Sequence, residues 1–140
     1  MKITLSLFYI LFFQISFSQT VFGKWKTIDD ETGKEKGIVE VFEKNGKVFG
    51  KIIDIFETDK KHHKCDKCNG EDKNKPILGL IIIKGLKKNG DVYDNGRIID
   101  PKNGKSYHCK MELDGKDKLI VRGYIGTPLI GRSQYWIRVK

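Results

Sequence analysis

Gly23-Lys24-Trp25-Lys26-Thr27-Ile28, near the front of the chain, and Arg132-Ser133-Gln134-Tyr135-Trp136-Ile137-Arg138, at its far end, decide the fold. Both stretches are rich in β-branched and aromatic residues and carry no helical period, so each reads as a strand. If the sheet between them closes on itself, the first and last strands become neighbours. The Gly-x-Trp of the first and the Trp-x-Arg of the last then meet at one seam, which points to a small closed barrel.

Working outward from the two ends, turn chemistry recurs at short intervals. Asn-Gly pairs stand at 45–46, 89–90 and 103–104, and further turns are signalled at 29–33, 94–96 and 114–116. Asn-Gly tolerates the positive φ of tight hairpins. Between the turns lie eight strand-like runs, over 21–28, 37–43, 47–57, 77–87, 91–99, 105–113, 118–126 and 132–139. No amphipathic helix of useful length and no repeat interrupts them. Short strands in hairpin order predict an all-β fold, an eight-stranded antiparallel up-and-down β-barrel that removes its own sheet edges.

Alternation gives each strand two unlike faces. Tyr107, Cys109, Met111 and Leu113 oppose Ser106, His108, Lys110 and Glu112. Arg132, Gln134, Trp136 and Arg138 oppose Tyr135, Ile137 and Val139, while Arg122 and Tyr124 oppose Val121, Gly123 and Ile125. Which face is inside stays open at this point. Hairpin order gathers the loops 29–36, 58–76, 100–104 and 127–131 at one end, including the longest connection. Ligands enter barrels at the end with the larger loops.

Residues 1–18 have the layout of a secretory signal peptide: Lys2, an apolar stretch from Leu5 to Phe17, and small residues at Ser16 and Ser18 before a cut ahead of Gln19. The apolar stretch is too short to span a bilayer. No second stretch could do so, so the expected product is a periplasmic or secreted single domain over 19–140 with no transmembrane segment. The chain has 140 residues and a formal net charge of +9, with its lysines scattered over turns. That spread keeps strand edges soluble and is open to an anionic envelope surface. Export and the lack of a clustered basic and aromatic face weigh against nucleic acid.

Several motifs resemble the bacterial secreted family catalogued as domain of unknown function 2147. They are Gly23-x-Trp25-x-Thr27-Ile28-Asp29-Asp30, Cys65-x-x-Cys68, Pro76-Ile77-Leu78-Gly79-Leu80, Ile99-Asp100-Pro101-x-Asn103-Gly104-Lys105-x-Tyr107, Val121-Arg122-Gly123-Tyr124 and Gly131-Arg132-x-Gln134-x-Trp136. Ser133 stands where Thr is expected in much of that family, a conservative change. The resemblance implies a lipocalin- or streptavidin-like barrel in the envelope and supplies no activity. The ends also resemble the wider calycin group, in which the first-strand Trp packs beneath a basic residue from near the chain's end. That likeness assigns barrel closure to Trp25 and Arg138. A cation over an indole gains about 0.5–2 kcal/mol, and Arg suits such stacking.

Two constellations carry possible chemistry. The first is His62-His63-Lys64-Cys65-Asp66-Lys67-Cys68 in the long loop. In an oxidising compartment a Cys65–Cys68 disulfide ranks first, and a bridge from Cys109 to either second. A metal held by His62, His63, Cys65 and Cys68 ranks third, since a structural zinc ribbon brings two such knuckles and here there is one. The second is Arg122, Tyr124, Arg132, Gln134 and Trp136. Facing inward, these would select a small polar or anionic molecule, because Arg forks onto carboxylate or phosphate. The competing reading pairs the arginines with inward acids such as Glu40 or Asp54, or points them to solvent. No catalytic motif or cofactor signature is present. The expectation is therefore a non-enzymatic protein that binds a small molecule at the barrel's open end. The alternative is a filled barrel acting through its 58–76 loop and basic surface.

Overall fold

Turns built on Asn and Gly separate eight strands: β1 (Gly23–Ile28), β2 (Glu35–Lys44), β3 (Lys47–Ile55), β4 (Ile81–Asn89), β5 (Val92–Ile99), β6 (Ser106–Leu113), β7 (Lys118–Tyr124) and β8 (Gly131–Arg138). The structure is a computed structural model and describes residues 20–140; the expected signal segment over 1–18 lies outside the described residues. The strands form one closed barrel in chain order. β8 returns to β1 with Trp25 opposite Arg138, Lys26 opposite Ile137 and Thr27 opposite Trp136.

Most strand limits fall within two residues of expectation; two differences have clear local reasons. The apolar run 77–87 starts as a turn, not a strand. Gly79 sits at φ +94, donates its N–H to Ile52 O at 2.8 Å, and lets Leu80 accept from Ile52 N–H at 2.9 Å. β4 therefore begins only at Ile81. At the other end, Val21 is not in β1. It tucks under the barrel floor, 2% exposed, where its carbonyl accepts from Trp25 Nε1 at 2.8 Å.

The inner faces are now decided. Trp25, Val39, Val41, Val48, Leu86, Met111, Leu119 and Trp136 are buried, each aliphatic side chain contributing about 1.5–3 kcal/mol on removal from water. Most of them lie in the half nearest the short turns, which is packed solid. That packing closes one end and leaves the other half of the interior open.

The long connection is folded, not loose. Single 3-10 turns at Thr58–Lys60 and Gly70–Asp72 flank a Cys65–Cys68 disulfide whose Cα atoms are 5.3 Å apart. Cys65 N–H donates to Lys75 O at 2.8 Å and Ile77 N–H to His63 O at 3.0 Å. Asp72, only 7% exposed, receives Lys84 Nζ from β4 at 2.5 Å, which pins the loop to the barrel wall. The 100–104 turn meets the same loop backbone to backbone. Gly104, at φ +71, leaves no room for a Cβ, which would fall 1.8 Å from Lys67 O. Among the described residues no helix is long and apolar enough to cross a membrane.

Candidate functional site at the open end of the barrel

Above the packed half, a cavity of about 1370 Å³ opens between the loops that follow β1, β3, β5 and β7. Its walls are apolar, with Val39, Ile52, Ile82, Ile98 and Val121 around the indole of Trp136. Each comes from a different strand, and all but Ile82 are placed inward by alternation; Ile82 reaches the cavity where the β3–β4 register shifts. Polar groups that interrupt this lining include Gln134 and Tyr107. Gln134 Oε1 accepts from Trp136 Nε1 at 3.3 Å, and Tyr107 OH accepts from Asn103 Nδ2 at 3.2 Å. The amide nitrogen of Gln134 and the hydroxyl hydrogen of Tyr107 have no side-chain or backbone acceptor among the described residues, so both remain available as donors.

The mouth carries both signs in nearly equal number. Seven Asp or Glu and six Lys or Arg border it, together with His62 and His63. The charges are largely paired with one another. Arg132 Nε bonds Asp30, and Arg132 Nη2 donates to Glu31 Oε1 at 2.8 Å. Asp30, then Glu31, raises the Arg132 pKa above its ordinary value. Asp29 is held down to about 2, chiefly because its Oδ1 accepts the backbone N–H of Thr32 at 3.0 Å and of Glu31 at 2.8 Å. A lowered carboxylate pKa favours the folded form above the ordinary value of 3.8, and that contribution fades as pH falls toward 2. With the backbone bonds Asp29 N–H to Lys34 O and Gly33 N–H to Asp29 O, both 2.8 Å, these two bonds make the 29–34 turn a self-bonded unit.

The residues expected at the site do not all meet. Arg132, Gln134 and Trp136 share the inner face of β8 and line the cavity. Arg122 does not. Register sets Arg122 opposite Ser133 and Gly123 opposite Arg132, so Arg122 lies on the outer face. There it donates to Ser133 Oγ at 3.0 Å and to Pro128 O at 2.8 Å, bracing the 125–130 turn. Tyr124 is outward as well. Its ring stacks on exposed His108 at 5.3 Å, and only its place at the strand's end brings it to the rim. The acids suggested as Arg partners are also replaced. Glu40 faces outward between Lys24 and Lys51, and Asp54 meets Lys61 at 3.7 Å. Arg132 pairs instead with Asp30 and Glu31, whose shared barrel end followed from hairpin order.

At the opposite end, Arg138 Cζ lies 4.3 Å from the centre of the Trp25 ring. Its three nitrogens donate to the carbonyls of Lys116 at 2.8 Å, Phe22 at 3.0 Å and Thr20 at 2.7 Å. The disulfide consumes both loop thiols, so a metal set of His62, His63, Cys65 and Cys68 does not form. Cys109 is free and fully buried on the inner face of β6, and burial pushes its pKa up to about 12.

An eight-stranded meander plugged at one end and hollow at the other defines a lipocalin-like calyx. The chain belongs to the bacterial family described as "Uncharacterized protein conserved in bacteria (DUF2147)", whose model matches residues 23–138. Its fold is similar to that of a solved structure described as "Protein HP1028 from the human pathogen Helicobacter pylori belongs to the lipocalin family". That similarity has a TM-score of 0.76 at 21% sequence identity and covers 88% of this chain and 85% of the other. At that identity the likeness is one of fold. No curated protein matches the sequence.

Proposed function

We propose that this protein is an exported, non-enzymatic carrier or sensor whose barrel holds a small molecule with an apolar body and a polar head. The observation that carries this reading is the cavity of about 1370 Å³ reaching down to Trp136. An eight-stranded barrel can be filled by its own side chains, and ligand pockets are typically about 300–1,000 Å³. Space on this scale, walled by aliphatic residues, favours a ligand over a filled structural module. Gln134 and Tyr107 offer donors to a hydrogen-bond acceptor on that ligand. The balanced rim gives no general preference for an anion; Arg132 is the arginine that borders the cavity.

The non-enzymatic part is supported by the state of the reactive groups. Rim carboxylates face lysines or arginines, and the Cys109 thiol is kept protonated by burial. Export is supported by the apolar stretch at 5–17 and by the oxidised Cys65–Cys68 pair, in a compartment of the periplasmic or extracellular kind. The basic exterior of a chain with net charge +9 is open to an anionic envelope surface.

Native mass spectrometry of protein recovered from its own envelope tests the reading. The expected result is a chain beginning at Gln19 with a bound small molecule, and loss of that adduct in Val121→Trp, which fills the cavity. An intact leader would overturn export. A bare chain that also fails to take up apolar probes would overturn the carrier.

A further inference from the structure

We propose that Asp30 and Glu31 are internal occupants of an anion site on Arg132. A ligand with a carboxylate head exchanges with them, releases the 29–34 turn and opens the upper part of the β1–β8 seam. This proposal rests on the small-molecule reading above and names the head group and the route.

Four observations converge on it. First, Arg132 lies on the inner face of β8, directly across from Gly123, which has no side chain to screen the guanidinium from the cavity. Second, the Arg132 side chain is 57% exposed, so an incoming carboxylate can reach it. Third, both of its partners are side chains of one turn. Arg138, on the same face of the same strand, is bonded to three backbone carbonyls. Backbone acceptors of the barrel floor cannot leave, whereas carboxylates on a turn can: the Glu31 side chain is 73% exposed and that of Asp30 22%, and solvent weakens such an ion pair.

Fourth, the seam itself is unfinished at this end. The β1–β8 ladder stops at Thr27 and Trp136, whereas β8 remains paired with β7 as far as Gly131. Beyond Trp136, the Arg132 pair with Asp30 and Glu31 is what ties the end of β1 to β8. Residues on both sides of this unpaired stretch, Ile28 and Asp30 on one and Arg132 and Gln134 on the other, border the cavity. The Asp29 hydrogen bonds hold the turn together, so it departs as a unit and uncovers a lateral opening.

The test compares dodecanoate with dodecanol, two probes that differ only in the head. Binding is followed by tryptophan fluorescence, since Trp136 lines the cavity. The acid-to-amide double variant Asp30→Asn/Glu31→Gln removes the internal competitors. It should bind dodecanoate about tenfold more tightly, the scale of a charge-assisted hydrogen bond, with dodecanol affinity unchanged. Arg132→Gln should erase any preference for dodecanoate over dodecanol. In the wild type, dodecanoate but not dodecanol should speed amide exchange over residues 29–34. A double variant that gains equally for both probes, or for neither, overturns the proposal while leaving the cavity reading intact. Failure of the wild type to bind either probe removes the cavity reading and this proposal together.

Discussion

Arg132 and Arg138 stand six positions apart on one strand face, yet they are held in opposite ways. Arg138 stacks over Trp25 and gives its fork to carbonyls from two separate chain segments, so it seals the floor of the barrel. The planar guanidinium is what permits three divergent bonds and a stack at once. Arg138→Leu should therefore cost about 2 kcal/mol, the order of one or two charge-assisted bonds to partly buried acceptors, measured by urea denaturation. Arg138→Lys should recover little of it, because an ammonium cannot match the fork. A loss too small to resolve for Arg138→Leu would show that the floor is held by the ladder alone. The identity of both arginines was legible in the chain, since Arg is scarce where Lys is the ordinary cation. Trp25 beneath Arg138 was expected from the calycin resemblance and is found; the hydrogen-bond acceptors of both arginines were not legible, because acceptors far off in the chain leave no local trace.

At the scale of elements, alternation predicted each strand's two faces but not which pairs of faces coincide. Arg122 and Arg132 look alike as isolated strand residues. The β7–β8 register puts them on opposite sides of the wall, and a one-residue slip would have put them together. The 58–76 loop shows the same division. Its Cys65–Cys68 staple follows from spacing and compartment, whereas its docking onto the mouth depends on contacts with Lys84 and the 100–104 turn. The tightest of these contacts is at Gly104. Gly104→Ala adds a Cβ within 1.8 Å of Lys67 O and strains a residue at φ +71. It should destabilise the protein by about 2 kcal/mol, as overpacking and strain typically do. Amide exchange over 63–77 should quicken, while β6–β8 stay protected. Uniform loss of protection would mean that the loop is part of the global core and not a separately docked lip.

For the molecule as a whole, closure makes both ends of the described chain part of one wall. Val139 N–H donates to Lys24 O at 2.9 Å, and Arg138 reaches Thr20 O at 2.7 Å, so the two ends of the described chain lie together at the closed end. The asymmetry between a packed floor and a hollow mouth then needs no particular starting strand. A circular permutant that links residue 140 to residue 20 through a short Gly-Ser segment and opens at Asn89–Gly90 should keep the barrel. Its urea transition should stay cooperative, with a midpoint near that of the parent. A non-cooperative transition would show that the β4–β5 hairpin must be covalent for closure.

Strand number, hairpin order and the end bearing the large loops all followed from period-two alternation and turn chemistry, and the plugged seam from the calycin resemblance of the two end motifs. Those signals are local, carried by residues within a few positions of one another. The hollow in the upper half, the outward turn of Arg122 and Tyr124, and the capture of Arg132 by Asp30 and Glu31 did not follow. Each depends on register and packing volume between segments far apart in the chain, and these are set only when the sheet closes.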